Sequence, residues 1–288
     1  MKKKLFCALW TPTDGQGKLL KKEIVSHLHF LASHKVDGVL VGGSTGEFLY
    51  LSPSLRKELL ETVLEHKGHL EVLFNLSHPD PREVESLAHF TRPLPIAGVL
   101  LLPPLYYPIS PDDLSAYFIH MAKHTPHPFY LYNFPERANV QITLETIETV
   151  YNAIPLAGIK LSGGNLEHLK AVCEWGRGKK FIPYSGNDIK LFEALEYGAQ
   201  GLIGGLVNVI PDILSKVIET HDLSLKEKLS RLDQLLKKLN FPHNVRAFME
   251  ARSFATGAPK MPLSKETEAH YSPLVQELRA LLHEWHLI

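Results

Sequence analysis

The chain has 288 residues, 44% of them hydrophobic, with 31 basic side chains balanced by 31 acidic ones. That balance argues against a surface for polyanions, so neither nucleic acid nor an anionic membrane is an expected partner. Cys7 and Cys173 are the only cysteines, which excludes a disulfide framework and a cysteine-ligated zinc. Met1-Lys2-Lys3-Lys4 followed by Leu5 to Trp10 imitates a signal peptide, but the apolar run is too short and Thr11-Pro12-Thr13-Asp14-Gly15 breaks it. No run approaches the ~20 apolar residues of a membrane span. A soluble cytoplasmic protein is therefore expected.

Apolar runs and amphipathic segments alternate from the start. Strands are expected at Leu5–Thr11, Val36–Gly43, Leu70–Leu76 and Ile96–Pro103, with helices at Lys21–His34, Ser54–His66, Pro81–Thr91 and Pro111–Lys123. Ser52-Pro53 is a good helix start, a capping hydroxyl followed by a proline in the first turn. The second half continues with strands at Phe129–Asn133, Leu156–Ser162, Phe181–Ser185 and Gly201–Gly205. Their helices fall at Leu144–Ala153, Leu166–Trp175, Ile189–Tyr197 and Pro211–Thr220. Alternating strands and helices signal a parallel sheet. About eight such units, in a chain of this length, point to a closed (β/α)₈ TIM barrel over residues 1–221. Residues 222–288 carry three further helices, Ser224–Leu239, Asn244–Thr256 and Glu266–Trp285, and are expected to be a helical extension packed on the barrel.

The sixth strand, Leu156-Ala157-Gly158-Ile159-Lys160-Leu161-Ser162, sets a single lysine among apolar residues. A strand apolar on both faces is buried, and burial pushes a lysine toward the neutral amine, which attacks carbonyls to form a Schiff base. Two readings stand for Lys160: an imine-forming amine, or a strand-end ammonium that reaches solvent or a carboxylate.

In a barrel the reacting groups come from the C-terminal ends of the strands. Strand two ends in Gly42-Gly43-Ser44-Thr45-Gly46-Glu47, where backbone N–H groups and two hydroxyls can converge on an anion; a tight turn is the plainer account. The Gly-Lys-Ser/Thr ending of a phosphate loop is absent. Strand five ends in Tyr130-Leu131-Tyr132-Asn133-Phe134-Pro135-Glu136-Arg137. Alternation puts Tyr130 and Tyr132 on one face, so a phenol can stand beside the lysine strand and relay protons or serve only packing. Arg137 suits a bidentate grip on a carboxylate or an ordinary surface ion pair. Strand four ends in Pro103-Pro104-Leu105-Tyr106-Tyr107-Pro108, a stiff turn with two aromatics. Strand seven ends in Ser185-Gly186-Asn187-Asp188, and strand eight, with Ile203, runs toward Asn208.

Sixteen histidines invite a metal assignment. His120 and His124 lie at i,i+4 on one helix and His27, His29 and His34 cluster on another. Neither set has the glutamate of a His-Glu-x-x-His motif, and both fall on helices expected to face outward. Solvated side chains are the expectation, with no metal and no cofactor.

Taken together, the strand ends resemble the dihydrodipicolinate synthase / N-acetylneuraminate lyase family of pyruvate-dependent class I aldolases. The resemblance rests on the Gly-Ser-Thr-Gly-Glu run, the Tyr-Asn-x-Pro run and the Gly-Ile-Lys strand in order, and extends from Ala8-Leu9-Trp10-Thr11-Pro12 to Asn208-Val209-Ile210-Pro211. It implies a (β/α)₈ barrel with three C-terminal helices and a homotetramer built as a dimer of dimers. By position, Lys160 resembles the Schiff-base lysine and Tyr132 the tyrosine that handles protons at the reacting carbonyl. Ser44 and Thr45 look like the hydroxyl pair of the pyruvate-carboxylate loop. Tyr106 matches the tyrosine that enters the neighbouring subunit's site, Ile203 the residue whose carbonyl approaches the keto acid, and Gly186 falls within the substrate pocket.

For the second substrate, Arg137 falls where the synthases hold the carboxylate of aspartate semialdehyde, although Ala138-Asn139 departs from the Thr-Gly expected after it. Ser44 and the turn from Tyr106 to Ser110 are more similar to the neuraminate lyases. Those enzymes have an acidic residue where Ile189 stands and a serine where Gly205 stands; losing two polar contacts to a polyol disfavours sialic acid. The expected reaction is condensation of pyruvate with aspartate semialdehyde to 4-hydroxy-tetrahydrodipicolinate, with a 2-keto-3-deoxy sugar-acid aldolase or neuraminate lyase as the alternative. A silent keto-acid binder is a third reading, opposed by the joint presence of Lys160, Tyr132 and Tyr106.

Overall fold

The structure, a computed structural model, describes residues 2–288; Met1, where the expected barrel and the signal-like start begin, lies outside them. Eight parallel strands close into one barrel in chain order: β1 (Lys4–Ala8), β2 (Gly38–Val41), β3 (Glu71–Asn75), β4 (Gly98–Leu101), β5 (Phe129–Asn133), β6 (Leu156–Leu161), β7 (Ile182–Ser185) and β8 (Gly201–Gly204). The helices outside are α1 (Lys21–Ala32), α2 (Pro53–His66), α3 (Pro81–Thr91), α4 (Pro111–Ala122), the one-turn α5 (Pro135–Ala138), α6 (Leu144–Ala153), α7 (Leu166–Gly176), α8 (Leu191–Glu196) and α9 (Pro211–Thr220). Then come α10 (Leu225–Leu236), α11 (His243–Ala251) and α12 (Lys265–Glu284). The (β/α)₈ TIM barrel with C-terminal helices is thus as expected. No described helix is long and apolar enough to cross a membrane.

Helix starts follow local chemistry. Ser52, Asp80, Ser110 and Thr143 each accept a hydrogen bond from a first-turn N–H, and the first three are followed by proline. The strands alternate between two cores. Val39, Val41, Phe74, Val99, Leu101, Leu131 and Ile159 pack outward under the helices, while Phe6, Leu40, Leu73, Leu100, Tyr130, Tyr132, Tyr184 and Ile203 fill the barrel. Room for the aromatics comes from small neighbours: a Cβ on Gly98 would lie 2.8 Å from the Tyr130 ring.

Three departures from the sequence expectations shape the site. Helix α11 ends at Ala251 rather than Thr256, because the chain turns back onto the barrel: the Thr256 carbonyl accepts Trp10 Nε1 at 3.0 Å and Ala258 N–H donates to Thr13 O at 2.7 Å. Single turns form at Phe48–Tyr50, Pro135–Ala138 and Leu206–Asn208, each too short for a periodic signature. His27 is buried rather than solvated, its Nε2 3.1 Å from the Asn208 side-chain oxygen.

Candidate active site

The alternation of β5 and β6 brings Tyr132 and Lys160 into register, both pointing into the barrel mouth. Lys160 is 4% exposed. Its Nζ donates to the Tyr132 hydroxyl at 3.2 Å and lies 4.3 Å from the phenol ring centre. The same hydroxyl is 3.1 Å from Ser44 Oγ at the end of β2. A lysine with a single neutral partner in a buried site has an unobstructed lone pair whenever it gives up its proton, and the hydroxyl pair beside it can carry that proton away. The other reading of Lys160, an ammonium reaching solvent or a carboxylate, finds little solvent here, but the Asp188 carboxyl lies near enough to feel the Lys160 charge.

This trio floors a cleft of about 440 Å³. Thr45, Gly186 and Ile203 from the strand ends, Phe134, Arg137, Ile189 and Leu206 from the loops, and Leu236, Lys237, Asn240, Phe241 and Asn244 on or after α10 also line it. Gly186 is held small by its surroundings: a Cβ there would overlap Ser162 Oγ and come within 2.9 Å of Lys160 Cε.

The Gly42–Glu47 loop is anchored from below. Asn75 Nδ2 donates to Gly42 O at 2.8 Å. Arg56, fully buried, donates to the carbonyls of Asn75 and Ser77 with its guanidinium between the rings of Phe48 and Phe74. Burial lowers its pKa to about 9. Glu47, in left-handed geometry at φ 56°, binds Lys260 at 2.8 Å in a pair with both side chains nearly inaccessible, and Lys260 also donates to Thr11 O. That pair ties the chain after α11 to the loop.

Asp188 is the cleft residue whose role the sequence did not disclose. It is buried, and its two oxygens accept the N–H groups of Gly205 and Leu206, each at 3.1 Å, which fixes the edge after β8. Burial raises its pKa to about 6 against the opposing effect of those N–H groups and of the Lys160 charge. Its place in the Ser-Gly-Asn-Asp turn was the available signal.

Arg137 is exposed at the mouth, its guanidinium 5.9 and 5.7 Å from the ring centres of Phe134 and Phe241. The arginine–carboxylate pairs among the described residues are those of Arg82, Arg231, Arg246 and Arg252, so Arg137 remains available to a ligand. Asn139 takes the left-handed φ of 56° that ends α5. Asparagine tolerates that conformation as glycine does, so the departure at Ala138-Asn139 leaves the turn intact.

Seven of the eight expected site residues (Ser44, Thr45, Tyr132, Arg137, Lys160, Gly186 and Ile203) line this one cleft. Tyr106 does not. It stands 81% exposed after β4 at φ 84°, edge-to-face with Tyr107, which is 76% exposed.

A family model described as the dihydrodipicolinate synthetase family matches residues 1–281. The 4-hydroxy-tetrahydrodipicolinate synthase 2 of Halalkalibacterium halodurans is 26% identical over 287 residues, covering 94% of this chain and 97% of its own. Among solved structures, the sialic acid aldolase of Ruminococcus gnavus superposes with a TM-score of 0.87 at 21% identity, over 98% of this chain and 99% of that one. A variant of the 2-keto-3-deoxygluconate aldolase of Sulfolobus solfataricus, in complex with a 2-keto-3-deoxy-galactonate, gives 0.86 at 21% over 99% of both chains. At these identities the structural likeness is one of fold. The chain belongs to the dihydrodipicolinate synthetase family and is a lyase of the Schiff-base pyruvate aldolase type.

Proposed function

We propose that this family member condenses pyruvate with L-aspartate semialdehyde to give 4-hydroxy-tetrahydrodipicolinate through an imine on Lys160. The observation that carries the reading is the contact chain from Lys160 Nζ to the Tyr132 hydroxyl to Ser44 Oγ. In this reading the amine attacks the pyruvate ketone and water leaves to give the imine, with protons moved through Tyr132. The imine's methyl group then loses a proton to give the enamine, whose carbon attacks the aldehyde, and the semialdehyde's own amine displaces Lys160 as the ring closes. The Ser44-Thr45 turn receives the pyruvate carboxylate.

The choice of aldehyde rests on Arg137, a guanidinium without a carboxylate partner beside the mouth. It can take the semialdehyde carboxylate through two parallel hydrogen bonds. Ile189 and Gly205 offer no side-chain polar group on the wall where a polyol would need one. The second reading, cleavage of a 2-keto-3-deoxy sugar acid, is favoured by the polar side chains of Asp233, Lys237, Asn240 and Asn244 in the cleft lining, the first two already paired with each other at 2.5 Å.

Tyr106 enters this proposal through assembly. An aromatic exposed on a left-handed backbone is costly and is accounted for if the loop after β4 reaches a second copy's cleft. The adjoining groove beside Ser44, lined by Phe48, Leu49, Leu102 and Leu105, is open to receive it. A homotetramer in the cytoplasm is the proposed setting.

Borohydride reduction in the presence of pyruvate should trap a covalent adduct that peptide mapping places on Lys160. Turnover of aspartate semialdehyde with pyruvate should then exceed cleavage of keto-deoxy sugar acids. Trapping on another lysine would overturn the imine assignment. Brisk sugar-acid cleavage without semialdehyde turnover would hand the site to the second reading.

A further inference from the structure

On the outer wall, away from the mouth, four ligand-type side chains gather around α3 and the end of α4. Glu85 and His89 lie on α3, His120 in the last turn of α4 and His124 in the turn that follows it. Glu85 Oε1 is 3.2 Å from His120 Nε2 and 3.9 Å from His124 Nε2. One donor atom from each of these three residues lies within 4.8 Å of the other two. The second nitrogen of His124, Nδ1, is 3.1 Å from His89 Nε2.

We propose that Glu85, His120 and His124 bind one divalent transition-metal ion of the zinc type, with His89 positioning His124. Ligands at 2.0–2.1 Å from a tetrahedral ion stand about 3.3 Å apart, so a small rotation of the exposed His120 and the half-buried Glu85 and His124 closes the set. Two imidazoles and one carboxylate suit Zn²⁺, Ni²⁺ or Cu²⁺, whereas Mg²⁺ and Ca²⁺ prefer oxygen ligands throughout.

The contact between His89 and His124 is the second observation, and it supplies the outer partner that a ligating histidine needs. A ligating histidine donates its other N–H to an acceptor that fixes its tautomer and ring orientation. With His124 Nδ1 turned to His89 Nε2, its Nε2 is directed toward Glu85, which is that arrangement. The C-terminal end of α4 also favours a cation through the helix dipole. Three protein ligands leave a coordination position for water, and the ion clamps α3 to α4.

Calorimetric titration of the tag-free protein with ZnCl₂ should show one saturable site per chain. At about a hundredfold excess over Kd, mass action should raise Tm by about 3–8 °C, while MgCl₂ leaves it unmoved. The double variant Glu85→Gln/His120→Ala should lose the site. His89→Ala should weaken it by about 10- to 100-fold. Both should still trap pyruvate normally, since none of these residues borders the cleft. Zinc binding by the double variant equal to that of the unaltered protein would overturn the proposal, as would the absence of saturable binding to the unaltered protein.

Discussion

The most direct test of the cleft geometry is Gly186→Ala. The backbone of Gly186 is outside the left-handed region, so alanine meets no conformational barrier. What it meets is the lysine: its Cβ would lie 2.9 Å from Lys160 Cε and 3.1 Å from Leu161 O, and would overlap Ser162 Oγ. Carbon atoms rest about 3.5 Å apart or more, so the Lys160 stem must give by about 0.6 Å. The stem and the serine hydroxyl are flexible, so the fold should survive at an overpacking cost of ~1–3 kcal/mol. Catalysis should suffer more. A displacement approaching 1 Å costs on the order of 10²-fold, and here it moves the attacking nitrogen away from the Tyr132 hydroxyl. The assay is the rate of borohydride trapping with saturating pyruvate, read beside kcat and Tm. A variant that traps pyruvate at the normal rate would show that Lys160 is not confined as described, and the reasoning from the Gly186 contact would fail.

Tyr132→Phe keeps the ring over Lys160 and removes only the hydroxyl, so Tm should hold while kcat falls by about 10²- to 10⁴-fold; near-normal turnover would return Tyr132 to packing. Arg137→Ala should lower kcat/KM for aspartate semialdehyde by about 10- to 100-fold, the worth of a charge-assisted contact of ~1.5–3 kcal/mol, and leave KM for pyruvate unchanged. Equal losses for both substrates would make Arg137 structural. Two buried groups give stability a pH dependence of opposite sign. Burial lowers His27 to about 4, so its contribution of about 3 kcal/mol is present above pH 6.5 and is lost as pH falls through 4. Burial raises Asp188 to about 6, so a contribution of similar size is present at low pH and is lost as pH rises from 3.8 through 6. The slopes oppose each other in the unaltered protein. His27→Gln should therefore expose a loss of stability from pH 4 to 6 in denaturant unfolding, and parallel profiles for the two proteins would contradict the assignment.

The eight strands were legible because each buries its own side chains: an apolar run needs no knowledge of its neighbours. Lys160 stood out for the same reason, as one charge in a run of aliphatics, and the two-residue period of β5 placed Tyr132 on the inner face. Gly42 to Glu47 marked, through composition, a turn whose N–H groups and hydroxyls could converge on an anion. None of these signals says which residues meet. Ser44 and Tyr132 touch across 88 positions and Glu47 and Lys260 across 213, because the barrel closes and the chain after α11 folds back over it. That return also ends α11 five residues short of Thr256, since hydrogen bonds to Trp10 and Thr13 replace those of a continued helix. His120 and His124 stood four residues apart in the sequence, but Glu85, which meets them, lies on the preceding helix. Periodicity therefore determined the architecture and the identity of the lysine, because burial within one element leaves its mark in that element's own spacing. The pairing of groups on different strands and helices was decided only when closure of the barrel brought distant segments into contact.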